Sequence, residues 1–337
     1  RLWRVTGVQT CALPISMTDR ERVLAFFRHE MTDELPPASG LFVVRGNAFH
    51  ERPPFVKDGT DWFGVDWKEE GGLNALAPDP LQEPIMEDIA DWRELVKFPD
   101  LDAWDWSKVE EADHISEWDR ENKVVDMMIY NGPFERMHTL MGFENALCAL
   151  LTDPDEVKAY LDAFMEWKCK LLEKIHEYYH PDVIMFHDDY GTQNNMFFSP
   201  DLWREIFKPQ LKKAVDKTHE LGMIFELHSC GFMEQIVPDF AEIGVDSWQG
   251  QEINDVPKLK ELTKGKLAFH TTPKYQDFDA MTITGELTEE MVRERVREGV
   301  KQNAVGGNYM PMPLPGKQWW LDIMNDEIEK VGKEIYK

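Results

Sequence analysis

Glu226, His228 and Cys230 stand two residues apart in the run Met223-Ile-Phe-Glu-Leu-His-Ser-Cys-Gly231. The run opens apolar and closes on glycine, the pattern of a buried strand that ends in a turn. Residues two apart on a strand face the same side. A carboxylate, an imidazole and a thiol would then line one face just before the turn. These are the side chains zinc prefers as ligands. Held with one coordination position open, such an ion acts as a Lewis acid on a substrate oxygen or sulfur.

Ligands at a strand end serve chemistry only if that end opens on a cleft. Further apolar runs are expected as strands at 41–44, 124–130, 182–187, 245–249 and 267–271, with helical patterns between them. The helices are expected near 134–150, 154–179, 200–221, 233–243, 255–264, 288–303 and 319–336. Ser199-Pro200-Asp201 is a good helix start, with a side-chain cap, proline in the first turn and an acid near the positive dipole end. Repeated strand–helix alternation argues for a parallel sheet, and apolar strands agree because both faces are buried. No G-x-G-x-x-G turn follows any strand, so dinucleotide binding has no support. Polar residues gather instead at the expected C-terminal strand ends: Asn131, His187-Asp188-Asp189, His228, Cys230, Gln249, Glu252, His270 and Asn308. In a closed barrel those ends converge on one mouth. The expected fold is an α/β (β/α)8 TIM barrel. Residues 31–110, irregular and rich in Pro, Trp and Asp, form an elaborated N-terminal segment that runs over the mouth.

Residues 1–16 (RLWRVTGVQTCALPIS) contain no acid, precede Met17, and resemble the translation of a sequencing adapter. They are read as a non-native leader, leaving 17–337 as a single barrel domain. The chain carries 37 Lys and Arg against 63 Asp and Glu, a formal net charge of −26. Such a surface repels nucleic acid and anionic membrane, and no window is apolar enough to span a bilayer. Cys148, Cys169 and Cys230 are too few, and odd in number, for a disulfide framework, which points to the cytoplasm.

Several runs carry a family resemblance. They are Asn131-Gly-Pro-Phe-Glu-Arg136 with Met141-Gly-Phe-Glu-Asn145, Asp188-Asp-Tyr-Gly191 with Ser199-Pro200 and Lys208-Pro209, His228-Ser-Cys-Gly231, and Ile243-Gly-Val-Asp246. Over roughly 85–310 the chain resembles the uroporphyrinogen decarboxylase superfamily, whose members are (β/α)8 barrels. The superfamily holds haem-pathway decarboxylases and zinc-dependent methyltransferases that work with corrinoid proteins. The decarboxylases bind a polycarboxylate through an R-Q-A-G-R-Y motif, absent here; only Arg45 and Arg52 fall nearby. His228-Ser-Cys230 matches the methyltransferases' His-x-Cys zinc motif. Their later Cys is missing, since the matching region reads Gly306-Gly-Asn-Tyr-Met-Pro311.

The resemblance therefore implies a methyltransferase that exchanges a methyl group between a small methylated compound or thiol and a corrinoid carried by a partner protein. Zinc (Zn2+) would sit on His228 and Cys230, with Glu226 the first candidate for the vacant ligand position and Glu252, His187, Asp188 and His270 as alternatives. Asp188, Tyr190 and His270 are candidate acid–base or substrate-binding groups. Adjacent residues alternate on a strand, so only one of Asp188 and Asp189 is expected to face the mouth. Asn131, Gln249 and Asn308 are candidate cofactor contacts. A homo-oligomer is compatible with the chain. Two rival readings are a decarboxylase of a smaller acid and a catalytically silent barrel that binds a corrinoid or methylated ligand.

Overall fold

In the computed structural model, residues 16–45, 51, 58–69, 76–314 and 316–336 are described; most of the leader lies outside them. Seven strands form one parallel sheet: β1 (Leu41–Val44), β5 (Val124–Ile129), β6 (Val183–His187), β7 (Ile224–His228), β8 (Ser247–Gln249), β9 (Ala268–Thr271) and β10 (Tyr309–Pro311). Each pairs only with its neighbours in chain order. That sequential order has no switch point, so it excludes a doubly wound sheet and agrees with the barrel-type α/β fold expected. Seven hydrogen-bonded strands are found rather than eight, and β10 does not pair with β1 among the described residues.

Curling of the sheet is visible in what its strands share. Leu41, Val124, Val183, Ala268 and Met310, from five strands, pack into one cluster with Val23, Phe26 and Phe27. Those last three sit on the helix Asp19–Phe27, which plugs the N-terminal end of the strands. That helix is started by a capping box, in which Thr18 and Glu21 satisfy each other's backbone amides. One layer higher the interior turns polar, with Asp126, Glu226, Ser247 and His270 all buried.

The predicted helices are present with local differences. Ser199 Oγ accepts from Leu202 N at 3.2 Å, as the start signal required. The helix after it is two pieces, Pro200–Ile206 and Lys208–Glu220, because Pro209 carries no amide hydrogen to continue the ladder. A helix at Phe278–Thr284 was not expected from the pattern. Among the described residues no helix is long and apolar enough to cross a membrane.

The excursion before β5 contains a small antiparallel sheet, β2 (Gly59–Thr60), β3 (Asp66–Glu69) and β4 (Leu76–Pro78). Buried ion pairs anchor this region to the helices behind the mouth. Arg136 Nη1 donates to Asp61 Oδ2 at 2.7 Å, with both side chains fully buried. Asp61 also accepts from the Phe63, Val65 and Trp67 N–H groups. Lys168 Nζ donates to Glu51 Oε1 at 2.5 Å and to the Tyr130 carbonyl at 3.0 Å. Burial alone would neutralise such groups, and it pushes the Glu51 carboxyl up and the Lys168 ammonium down. Removing one partner strands the other charge. Arg136→Met should therefore cost about 3–5 kcal/mol in urea-induced unfolding, and adding Asp61→Asn should recover part of the loss. An unchanged unfolding midpoint in the single variant would remove the anchoring role.

Candidate metal centre and active site

Strand register builds the site. His187 on β6 pairs with His228 on β7, His228 with Gln249 on β8, and Gln249 with His270 on β9. Paired residues of a parallel sheet share a face, so all four point into the barrel; strand tilt steps the row down from His187, His228 and Gln249 at the C-terminal end to His270 deeper inside, against Glu226. The His187 and His228 rings stack at 4.4 Å with 15° between planes. The turn after each strand adds one more group. Asp189 Oδ1 accepts from Cys230 N at 2.6 Å, and Cys230 Sγ lies 3.4 Å from His228 Nε2. One ligand atom from each of His187, Asp189 and His228 lies within 4.8 Å of the others.

The sharp turns that place these groups need glycine. Gly231 has φ of +103°, and a Cβ there would stand 2.4 Å from the Gly191 backbone. The loops after β6 and β7 are therefore in direct contact, which brings Asp189 to Cys230.

The histidines are held from behind. His187 Nδ1 lies 2.9 Å from Glu135 Oε1, and His228 Nδ1 lies 2.6 Å from Gln249 Oε1. Burial pushes the His228 imidazole below its ordinary range, and neighbouring His187 adds to the effect. Burial likewise pushes the Cys230 thiol well above its ordinary range, reinforced by the Asp189 and Glu135 carboxylates. Without a cation the pair is thus a neutral imidazole and a neutral thiol beside two acids, an arrangement that favours a positive ion.

The structure sorts the sequence-predicted residues into three groups. His228 and Cys230 come together as the strand parity required. Gln249 joins them, while His270 lies deeper, a buried interior residue: its Nδ1 lies 3.1 Å from Glu226 Oε1, and its ring packs beside Phe26. Asn131 lines the cavity, buried, in the left-handed region at φ +55°, its amide without a partner among the described residues.

Four placements differ from expectation. Glu226 faces inward with His228, yet it lies one layer deeper, where Ser247 Oγ donates to it at 2.9 Å. Its carboxylate is engaged there by Ser247 and His270, and it is not among the described groups that lie within reach of one ion. Asp188 turns away from the mouth and caps the helix Pro133–Met141, accepting from Phe134 N at 3.1 Å and Glu135 N at 2.8 Å. Gly132 allows that approach, since a Cβ there would meet Asp188 Cβ at 2.4 Å. Tyr190 is fully buried among Phe198, Trp203 and Phe207 outside the barrel. Asn308 precedes β10, at the end opposite the mouth, where its Nδ2 donates to the Gly265 carbonyl at 3.1 Å. Asp189 and Glu135 were missed as site residues. Alternation along 187–189 allowed only one of the two aspartates at the mouth, without saying which; Glu135 carried no local signal.

Above the layer lies a cavity of about 440 Å³. Met128, Tyr130, Met185, Met312 and the β4 residues Leu76–Pro78 supply its apolar wall, with Arg45 the one basic residue among the described lining.

The uroporphyrinogen decarboxylase (URO-D) family model matches residues 79–309, more than half of the chain. The chain belongs to the uroporphyrinogen decarboxylase family. Its fold is similar to that of a methyltransferase from Methanosarcina mazei, at 14% identity, with a TM-score of 0.66 and coverage of 96% of this chain and 100% of the other. An Old Yellow Enzyme from Pichia sp. is more distant, at 10% identity and TM-score 0.38, covering 67% of this chain and 66% of that one. No sequence among the curated proteins matches significantly. Within this uroporphyrinogen decarboxylase family barrel, His187, Asp189 and His228 are the one group of three metal-ligating side chains within reach of one ion among the described residues, and Cys230 borders it through His228.

A raised thiol pKa means little thiolate near neutrality. In the metal-free protein, iodoacetamide at pH 8 should label exposed Cys148 well before Cys230, and Cys230 labelling should rise only at pH well above 9. Peptide mapping that finds Cys230 modified first at pH 8 would contradict the neutral-thiol state.

Proposed function

We propose that the chain is a methyltransferase that exchanges a methyl group between a small methylated compound or thiol and a corrinoid on a partner protein. The observation that carries the reading is the approach of His187, Asp189 and His228 at the floor of a partly apolar cavity, with Cys230 Sγ 3.4 Å from His228 Nε2. This donor set fits zinc, with imidazole and thiolate as its preferred ligands and a carboxylate completing the shell. His228 and Cys230 would hold the ion, with Asp189 or His187 as a further ligand in place of the family's later cysteine. Bound zinc would lower the pKa of a substrate thiol or hydroxyl, or polarise a methyl ether oxygen.

The chain's own residues do the rest. Glu135 and Gln249 keep the imidazoles in place. The methionine and tyrosine wall excludes water from the reacting atoms. Asn131, with its amide unpaired among the described residues, is placed to bind a polar group of the substrate or of the corrinoid. In the transfer from corrinoid to thiol, the thiol would release its proton to solvent, a carbon–sulfur bond would form and the cobalt–carbon bond would break, its electron pair remaining on cobalt. The reverse direction breaks the carbon–heteroatom bond of the donor.

A decarboxylase of a polycarboxylate fits the cavity poorly. Arg136 and Lys168 are buried in ion pairs of their own, and the polar end of the cavity carries Glu135 and Asp189.

Protein prepared from Met17 should retain about one zinc per chain by elemental analysis, and Cys230→Ser and Asp189→Asn should each lower that content. With zinc present it should demethylate methylcobalamin in the presence of a small thiol, followed by the corrinoid absorbance change. A wild type that is metal-free and has no zinc affinity would end the zinc mechanism; turnover of a porphyrinogen carboxylate would favour the decarboxylase reading instead.

A further inference from the structure

Gln249 stands one strand over from His228 at the same height, nearly buried. Its Oε1 lies 2.6 Å from His228 Nδ1, and its Nε2 lies 3.2 Å from His270 Nδ1. A neutral imidazole carries one proton, and the nitrogen that holds it cannot hold a metal. A carboxamide oxygen accepts and never donates, so it draws that proton to Nδ1. The Nε2 lone pair is then left facing Cys230, whose Sγ is 3.4 Å away and whose thiol hydrogen can point at it. Neighbouring His187 also has its Nδ1 near a side-chain oxygen, 2.9 Å from Glu135 Oε1.

The two supports differ in charge. Glu135 is an acid, while Gln249 is a neutral acceptor that orients its imidazole without adding a third carboxylate beside Asp189 and Glu135. Gln249 is itself held in register by its pairing with β7 and β9. Nothing in this arrangement needs Gln249 to touch a cofactor.

We propose that Gln249 is a positioning residue that fixes the Nδ1–H tautomer of His228 and so keeps Nε2 free for the metal. The inference rests on His228 being a metal ligand, but the tautomer is a property of the metal-free chain and can be read separately.

The test uses protein with 15N-labelled histidine, stripped of metal, and long-range proton–nitrogen correlation spectra, with His228 assigned by its loss in His228→Gln. The wild type should show His228 protonated at Nδ1. Gln249→Leu should lose that preference and bind zinc about 10–100-fold more weakly in competition with a chromophoric chelator. Gln249→Glu restores an acceptor and should recover both the tautomer and most of the affinity. Protonation at Nε2 in the metal-free wild type overturns the proposal, as does a Gln249→Leu variant with unchanged tautomer and zinc affinity. A wild type protonated at Nδ1 but without zinc affinity supports the tautomer assignment while removing the metal reading, so the two failures are distinct.

Discussion

Backbone hydrogen bonds between parallel strands hold paired residues in fixed register and on one face. Here that constraint runs unbroken from His187 through His228 and Gln249 to His270. The stacked imidazoles and the carboxamide against His228 follow from it, while the turns after β6 and β7 and the helix Pro133–Met141 add Asp189, Cys230 and Glu135. A one-residue slip of any of these strands would turn its polar side chain out of the barrel and an apolar one in. The apolar side chains of β6 and β7, buried between sheet and helices, oppose that slip.

The interior is graded from end to end. At the N-terminal end an apolar cluster is sealed by Phe26 and Phe27. Above it, Asp126 and Glu226 lie fully buried, and Asp126 is pushed well above the carboxylate range by burial and by Glu226. The strand-end layer above is different, because turn residues and the cavity give its charges partners. A cation placed there meets two carboxylates without the cost of burying them from scratch.

The N-terminal excursion is tied down by charge rather than by area alone. Arg136 with Asp61, and Lys168 with Glu51, are buried pairs whose members come from the excursion on one side and from barrel helices on the other. A buried pair yields little net stability, but it tolerates no other geometry. That makes it suited to fixing where Trp67 and the strand β4 stand against the cavity.

Strand parity, helix starts and the alternation of elements are local properties, and the sequence by itself determined them. Period-two spacing was enough to bring His228 and Cys230 to one face, and the repeated strand–helix order was enough for a parallel barrel-type sheet. Height within the barrel is not local. Glu226 shares the face of His228 but sits one layer lower, and only the packed barrel shows that it meets Ser247 and His270 there. The choice between Asp188 and Asp189 depended on Gly132 letting the helix Pro133–Met141 come close enough to be capped by Asp188, which leaves Asp189 to the mouth. Asn308 looked like a strand end because the short run after it was not recognised as the strand itself. The tertiary structure decided which side chains became neighbours, because cross-strand partners come from segments 20 to 60 residues apart, and no spacing along one segment encodes their common height.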